Sequence, residues 1–442
     1  MFVRLLAFLA LTLIVVGTGR SEDLAGTLSV EQCVEVALRE HPALHAADAD
    51  VKAAQFRVAQ AQSPLLPRAD ARYSPSRRQR TLSALIEGPS TDVTSKENTF
   101  TYQAGSFAIN QLLFDFGKTY HGWRAALADV ESVQAERERT AQTVILGVKR
   151  WYYGLIAARR LLEVAQESQA RANQHLDAAR SRYRAELAPR YDVTRQEVQV
   201  ANAELAALTA RKNLALARES LRNAMGLAGA IAFEPDDREL EYVRVEIDET
   251  AAVNRAGTQR AELRSLDALK RAQAQRIEAL LRNYLPSLAG HADYGFTGES
   301  ASDEGWSVGA LVRLSIFDGG LTPAEIGQAR AQLLAVEAEE KRVGQQVGLE
   351  VRDSLLNLRR GRESLDVSAK GVEAAREGMA IAESRYRNGI GSVLELTDSE
   401  VALSAARGNY VRLLADYHVA LAELEYAMGG RLARGDAGHD GP

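Results

Sequence analysis

Hydrophobic positions along this chain follow two different periods, and the alternation between them occurs twice. In the second half, Ile326, Ala329, Leu333, Val336, Val343, Val347, Val351, Leu355, Leu358, Leu365, Val372 and Met379 recur at mostly three-and-four spacing, with Glu340 in the gap. This is the pattern of a coiled-coil-like seam on one long helix. Roughly 65 residues at a rise of 1.5 Å make a rod on the order of 100 Å. Ahead of it the period is two: Trp306, Val308, Ala310, Val312, Leu314 and Ile316 share a face against Ser307, Gly309, Arg313 and Ser315. Leu288, Gly290, Ala292, Tyr294 and Phe296 do the same opposite His291, Asp293 and Thr297. Such alternation predicts paired strands with one apolar and one polar face. In the first half Ala69, Ala71 and Tyr73 alternate with Asp70 and Arg72, while Gln103 and Gln111 interrupt the partner strand.

The two halves are copies of each other. Leu66-Pro67 recurs as Leu285-Pro286, and Leu28 and Leu44 recur loosely as Ile247 and Leu263, at an offset of 219. Phe114-Asp115 recurs as Phe317-Asp318, Tyr183-Arg184 as Tyr386-Arg387, Asp192 as Glu395, Thr194 as Thr397, Glu197 as Glu400 and Met225-Gly226 as Met428-Gly429, all at an offset of 203. The 16-residue difference falls between Pro67 and Phe114, which places a longer loop in the Ser, Thr, Pro and Arg-rich stretch 74–98 of the first copy. A repeat of this size defines the architecture before any single motif does. The expected boundaries are a first repeat over 28–226, a second over 247–429, and a disordered tail over 430–442 rich in Gly and charge.

Each copy reads as helix, two strands, a very long helix, a tight turn and another helix. In the first copy the helices are predicted over 29–62, 118–187 and 192–225. Ser29 with Gln32 forms a capping-box pattern, with Leu28 placed as a hydrophobic staple, and Asp248 is the N-cap in the second copy. Thr322-Pro323-Ala324-Glu325 predicts the start of the second long helix, with Thr322 as N-cap, Pro323 at the first helical position and Glu325 as the reciprocal capping carboxylate. Gly117 and Gly319-Gly320 stand where strand meets helix and predict a positive φ or close backbone approach. No Gly-Lys-Ser/Thr loop follows them to bind phosphate.

Residues 1–25 read as a signal peptide: Arg4, an apolar stretch over 5–16, then Gly17 and Gly19, with cleavage expected near 20–26. The one cysteine, Cys33, lies well past that stretch, so neither lipidation nor an intramolecular disulfide is expected, and Cys33 reads as a small core residue. The charge of −5, from 54 Lys+Arg against 59 Asp+Glu, is well mixed and excludes a nucleic-acid footprint. After the signal no apolar run is long enough for a membrane helix, so any crossing uses strands closed into a barrel, its apolar face toward lipid and its polar face lining a wet lumen. Four strands cannot enclose a lumen, since about eight are needed merely to fill a barrel's interior with side chains. The chain must therefore oligomerise, and three copies would supply an even number of strands, twelve.

The order of these elements, together with Phe-Asp-Phe-Gly at 114–117, Phe-Asp-Gly-Gly at 317–320, Tyr-Arg-Asn-Gly at 386–389 and the Val-Leu-Glu-Leu that follows, resembles the TolC-like outer-membrane efflux proteins over nearly the whole mature chain. The resemblance implies a mainly α fold with a membrane β-barrel: duplicated helix–hairpin–long helix–helix repeats forming a homotrimer, with a shared twelve-stranded barrel in outer-membrane lipid and a helical tunnel across the periplasm. It implies a passive exit duct with two further partners, a periplasmic adaptor protein and an inner-membrane efflux transporter. In that family the tunnel closes where the turns between long and short helices converge, ringed by acidic side chains. Glu395 and Asp398 match the acidic ring, and Asp192 and Tyr386 match partners in the closing contacts. The family's best-known member has an arginine where this chain has Gly391, so Arg190 or Arg195 is expected to substitute as the latch cation. Independently of the family, three copies of Glu395 and Asp398 would set six carboxylates around a narrow opening, favouring cations and coupling their protonation.

Other readings carry less. Glu395 and Asp398 also suit a helix start, where the macrodipole favours acids. His41 and His45 have metal-ligand spacing, yet Pro42 lies between them and no third ligand is apparent, which favours a structural role at the helix start and predicts no metal site. No HExxH, nucleophile elbow or Ser/His/Asp constellation is present, so neither an enzyme nor a cofactor is expected. A soluble coiled-coil scaffold has no need of paired period-two segments recurring in each copy, and a periplasmic adaptor would carry small β-rich domains outside its hairpin.

Overall fold

The structure, a computed structural model, describes residues 26–81, 97–228, 233–298 and 303–431. The expected signal segment, residues 82–96 of the long loop, and residues 432–442 of the tail lie outside the described residues. The elements of the first repeat are β1 (Gly26–Leu28), α1 (Val30–Glu40), α2 (Pro42–Gln62), β2 (Arg68–Thr81), β3 (Glu97–Phe114), α3 (Lys118–Arg184) and α4 (Arg190–Ala224). After β4 (Phe233–Pro235), the second repeat runs α5 (Glu249–Gln259), α6 (Ala261–Leu281), β5 (Ser287–Gly298), β6 (Asp303–Arg313), α7 (Leu321–Arg387) and α8 (Val393–Ala427). The chain divides into two compact units, each drawing on both repeats: Met1–Ala37 with Val148–Tyr242 and Val367–Ala415, and Leu38–Gly147 with Val243–Asp366 and Asp416–Pro442.

The second unit holds a four-stranded antiparallel sheet in the order β2-β3-β5-β6. Its register sets Ala71, Phe107, Tyr294 and Trp306 in one row and Ala69, Ile109, Ala292 and Val308 in the next, so the apolar positions of the strands meet on one face, which Gln103, Gln111 and Glu304 interrupt. Tyr73, Phe107, Tyr294 and Trp306 are exposed on it. The opposite face carries Arg68, Asp70, Arg72, Asn110, His291 and Asp293, and Ser307 Oγ donates to Asp293 Oδ1 at 2.6 Å. Gly105 is required here: a Cβ would lie 2.4 Å from the Phe296 ring that covers it. Leu314 and Ile316, expected on the last strand, fall beyond it, because β6 ends at Arg313.

Two further corrections concern helix starts. The first helix, expected unbroken over 29–62, is two helices. Pro42 has no N–H to continue the ladder, and His41 Nδ1 instead accepts from Ala43 N at 3.1 Å as an N-cap. The second repeat breaks likewise at Arg260, between α5 and α6. The start of α7 is capped by Asp318 and not by Thr322: its carboxylate accepts from Gly320 N at 3.0 Å, Leu321 N at 3.1 Å and Thr322 N at 2.8 Å. Asp115 does the same in the first repeat, accepting from Gly117 N at 3.1 Å and Thr119 N at 2.8 Å. A carboxylate at a helix N-terminus satisfies orphan donors and meets the positive end of the helix dipole. The glycines beside these caps have positive φ, Gly117 at 88°, Gly319 at 69° and Gly320 at 88°.

The capping box at Ser29 is formed in both directions: Gln32 N donates to Ser29 Oγ at 3.2 Å, and Ser29 N donates to Gln32 Oε1 at 2.8 Å. Asp248 accepts from Ala251 N at 2.7 Å. Cys33 is fully buried, and burial together with nearby Glu239 and Glu31 pushes its thiol up to about 12, which leaves it an inert core residue. Along α7 the seam residues Ile326, Ala329, Val347, Val351, Leu355, Leu358, Leu365 and Met379 are buried, each of the larger ones contributing about 1.5–3 kcal/mol. Glu340, in the gap of that seam, is half-buried and paired with Lys270 at 2.7 Å. The parallel pair β1–β4 has no counterpart in the sequence reading, because three-residue strands carry no periodic signal.

Candidate functional site

The first unit contains both turns that join a long helix to a short one, and the same four-residue sequence precedes each: Ser-Arg-Tyr-Arg at 181–184 and at 384–387. Both long helices end in a left-handed turn with paired backbone bonds. Glu186 N reaches Tyr183 O at 3.0 Å and Leu187 N reaches Arg182 O at 2.9 Å; Gly389 N reaches Tyr386 O at 3.1 Å and Ile390 N reaches Arg385 O at 3.0 Å. The left-handed position is Gly389 (φ 75°) in the second repeat and Glu186 (φ 61°) in the first. Gly391, where the family's best-known member has an arginine, closes against Arg385 and Tyr386, and a Cβ there would stand 2.9 Å from Tyr386 N. The short helices follow: Pro189 is the N-cap of α4, and Ser392 Oγ accepts from Glu395 N at 3.1 Å at the start of α8.

All four expected residues lie at these turns, and the structure supplies partners for them that sequence reasoning did not name. Tyr386 is 6% exposed within a core of Met379, Val393, Leu396 and Leu403. Arg182 Nη1 donates to the Tyr386 carbonyl at 2.7 Å, and its guanidinium carbon lies 4.8 Å from the centre of the tyrosine ring. Burial raises the Tyr386 hydroxyl above its ordinary range; the Arg182 charge opposes this and the Asp192 charge adds to it. Asp192, half-buried in the first turn of α4, thus acts on Tyr386 through its field. Arg385 Nε pairs with Glu395 Oε1 at 3.1 Å. Arg195 Nη2 stands 3.9 Å from Asp398 Oδ1, so of the two expected substitute cations Arg195 is the one brought to an acid, one that is itself 69% exposed. Gln196 Nε2 donates to Thr397 Oγ1 at 3.1 Å in a buried contact between the short helices.

Further along α8, Glu400 is buried between the seam positions Leu396 and Leu403. Ser168 Oγ and Arg171 Nε stand 3.5 Å from it and His175 Nε2 stands 3.7 Å away. The missed residues had a signal: Arg182 and Arg385 belong to the Ser-Arg-Tyr-Arg repeat, and Glu400 and Thr397 were already visible as repeat partners of Glu197 and Thr194. Among the described residues no group of three or more His, Cys, Asp and Glu is placed to hold a metal ion, and no helix is long and apolar enough to cross a membrane.

Duplicated long helices with a small four-stranded sheet, apolar on one face, define the class of outer-membrane channels built from helices and a shared barrel. The family model for outer membrane efflux proteins matches residues 33–227 and 252–430, and the chain belongs to that family. It is 24% identical over 428 residues to outer membrane protein TolC of Escherichia coli K12, covering 90% of this chain and 81% of that one. It is 26% identical over 430 residues to protein CyaE of Bordetella pertussis, covering 95% and 88%. In structure it resembles the open state of the Neisseria gonorrhoeae outer membrane channel MtrE, with a TM-score of 0.74, 19% identity, and 91% and 89% of the two chains covered. The chain is an outer-membrane efflux channel, and its family is one of transport ducts.

Proposed function

We propose that three copies of this chain close a twelve-stranded barrel in the outer membrane and form the passive exit duct for an inner-membrane pump joined to it by a periplasmic adaptor. The observation that carries this is the sheet: four strands whose apolar rows share one face, interrupted by Gln103, Gln111 and Glu304, with β2 and β6 each bonded on one side only among the described strands. An open edge of this length invites strand addition, and a barrel is the closed form that satisfies it in lipid. An exported precursor cleaved near residues 20–26 and left without a lipid anchor fits the same reading, as does a chain with no catalytic function.

The turns at 185–189 and 388–392 are the periplasmic gate in this proposal. Glu395 and Asp398 supply the acidic ring, each balanced by an arginine of its own chain, Arg385 and Arg195. Tyr386 and Asp192 are closing contacts, and Arg182 holds the end of α7 to α3. Single-channel conductance in planar bilayers tests the reading, for wild type and for Glu395→Ala/Asp398→Ala, with and without divalent cation. A cation-preferring pore whose selectivity and divalent block diminish in the variant supports it. Unchanged selectivity and block would remove the acids from the aperture, and a soluble monomer would overturn the duct itself.

A further inference from the structure

The segment ahead of each repeat's first helix lies against a long helix, and the two copies of that place differ. At the offsets of 219 and 203, residues 245–247 correspond to β1, Leu355 to Tyr152, Leu358 to Leu155, Arg359 to Ile156 and Arg362 to Arg159. In the first copy the place is filled. β1 pairs with β4, Tyr152 and Ile156 are fully buried, and the Tyr152 hydroxyl donates to Leu28 O at 2.9 Å. Arg159 is held by two carboxylates, those of Asp237 and, at 3.6 Å, Glu234.

The second copy leaves it open. Residues 245–247 pair with no strand among the described residues, leucine stands for the tyrosine, and arginine stands for the isoleucine. The result is a cavity of 280 Å³, floored by the buried side chains of Val245, Leu355, Leu358 and Tyr417 and walled by Arg359 and Arg362. The floor is fixed: the Tyr417 hydroxyl donates to Val243 O at 2.7 Å, and Gly361 lets the ring lie close, since a Cβ there would stand 3.4 Å from Tyr417 Cδ2. Arg359 is exposed, with no ion pair or hydrogen bond among the described residues. Arg362 reaches only Glu246 Oε1, at 3.8 Å, an oxygen that Arg244 Nη2 already holds at 2.5 Å.

We infer that this cavity binds the terminal carboxylate of a short aliphatic peptide. The first copy indicates the chemistry, because there the arginine equivalent to Arg362 takes carboxylates. Two guanidiniums without hydrogen-bonded acceptors present planar forks of N–H donors, which match a carboxylate in shape and charge. The aliphatic floor suits a small side chain such as that of alanine, and the volume lies at the small end of ligand cavities. Glu246 supplies an acceptor for the last peptide N–H. Carboxylates of this kind reach an outer-membrane channel from two sources, free peptides in the periplasm and the peptide stems of the cell wall. Arg359 lies on the order of 57 Å along α7 from Leu321, which sets the cavity well clear of the sheet. The inference goes beyond the duct and does not depend on the oligomer.

Calorimetric titration of the full-length protein in detergent with diacetyl-lysyl-D-alanyl-D-alanine provides the test. Saturable binding is expected, weakened about tenfold by Arg359→Gln or by Arg362→Gln, and absent for the same peptide ending in a carboxamide. Leu355→Tyr/Arg359→Ile, which restores the filling of the first copy, should abolish binding while thermal unfolding stays close to wild type. No binding by the folded wild type, or equal binding of the carboxamide, would overturn the inference. Binding unchanged in the arginine variants would place the peptide elsewhere and overturn it too. Co-sedimentation with isolated cell-wall sacculi, lost in Arg359→Gln/Arg362→Gln, would support the site and assign its ligand to the wall. Binding of the soluble peptide without co-sedimentation would support the site and assign its ligand to free peptides. Conductance in planar bilayers should be the same for these variants as for wild type, which keeps the result separate from the duct.

Discussion

Arg182 and Arg385 occupy the same position in the two repeats and are used differently: Arg182 Nη1 crosses to the carbonyl of Tyr386 at 2.7 Å, whereas Arg385 Nε stays with Glu395 of its own repeat at 3.1 Å. One ties α3 to the end of α7, and the other balances an acid on the neighbouring turn of the same repeat. An identical four-residue sequence therefore leads into two inequivalent turns.

Removal of Arg182 should loosen the tip more than removal of Arg385. The Arg182 side chain makes a charge-assisted hydrogen bond, worth about 1.5–3 kcal/mol, and a cation–π contact worth about 0.5–1 kcal/mol. Arg385 has a half-exposed ion pair, for which about 0–1 kcal/mol is typical. In planar bilayers Arg182→Ala is expected to raise conductance or open probability well beyond Arg385→Ala, with Arg182→Lys intermediate. Equal effects from the two alanines would refute this ranking.

Glu186 and Gly389 share one left-handed backbone position, with φ of 61° and 75°. A side chain there strains the backbone by about 1 kcal/mol or more, partly offset by the greater unfolded-state freedom of glycine. Glu186→Gly should raise stability by roughly 0.5 kcal/mol, and Gly389→Ala should lower it by roughly 1 kcal/mol while crowding Arg182 Nη2. Thermal unfolding in detergent measures both, and a destabilised Glu186→Gly would contradict the argument.

Acid should act on His175 and Glu400 in opposite directions. Burial holds His175 below its ordinary value; the Glu383 charge opposes this and Arg171 adds to it. The unfolded chain takes that proton first, so this stabilising contribution is present above the ordinary imidazole value and lost as pH falls through the folded one. Burial raises Glu400, against the Arg171 charge and the Ser168 and Arg171 hydrogen bonds. Its contribution is present below the ordinary carboxylate value and lost as pH rises through the folded one. Between about pH 7 and pH 5, His175→Gln should therefore flatten any loss of stability on acidification and Glu400→Gln should steepen it. Parallel curves for the two variants would rule out both titrations.

Arg260 is buried, and its guanidinium donates to Glu262 at 3.0 Å, to Glu350 at 2.8 Å and to the Tyr426 carbonyl at 3.2 Å near the end of α8. Truncation leaves those acceptors without their cation, a loss typically of about 3–5 kcal/mol. Arg260→Ala is expected to unfold at markedly lower temperature and to speed amide exchange in the last turns of α8. Exchange there matching wild type would show that the clamp is dispensable.

The sequence by itself determined the elements and several of their caps, because these depend on residues within a few positions of one another, and their duplication, because the same pattern is written twice. The seam from Ile326 to Met379, the alternation from Trp306 to Val312 and the Ser29–Gln32 box are of this kind. The seam and strand patterns locate faces without naming what covers them. Local spacing alone misled at Thr322, where Asp318 outcompetes it as a cap, and at residues 29–62, where the proline breaks the helix. What covers each face was decided only by the tertiary structure. Arg182 meets Tyr386 and Glu400 meets Arg171 across more than 200 residues of chain. No local pattern distinguishes buried Glu400 from Glu197, its half-exposed repeat partner bound to Arg180. The packing of α8 against α3 desolvates one of two equivalent carboxylates and leaves the other in water, and that difference arises only once the helices have assembled.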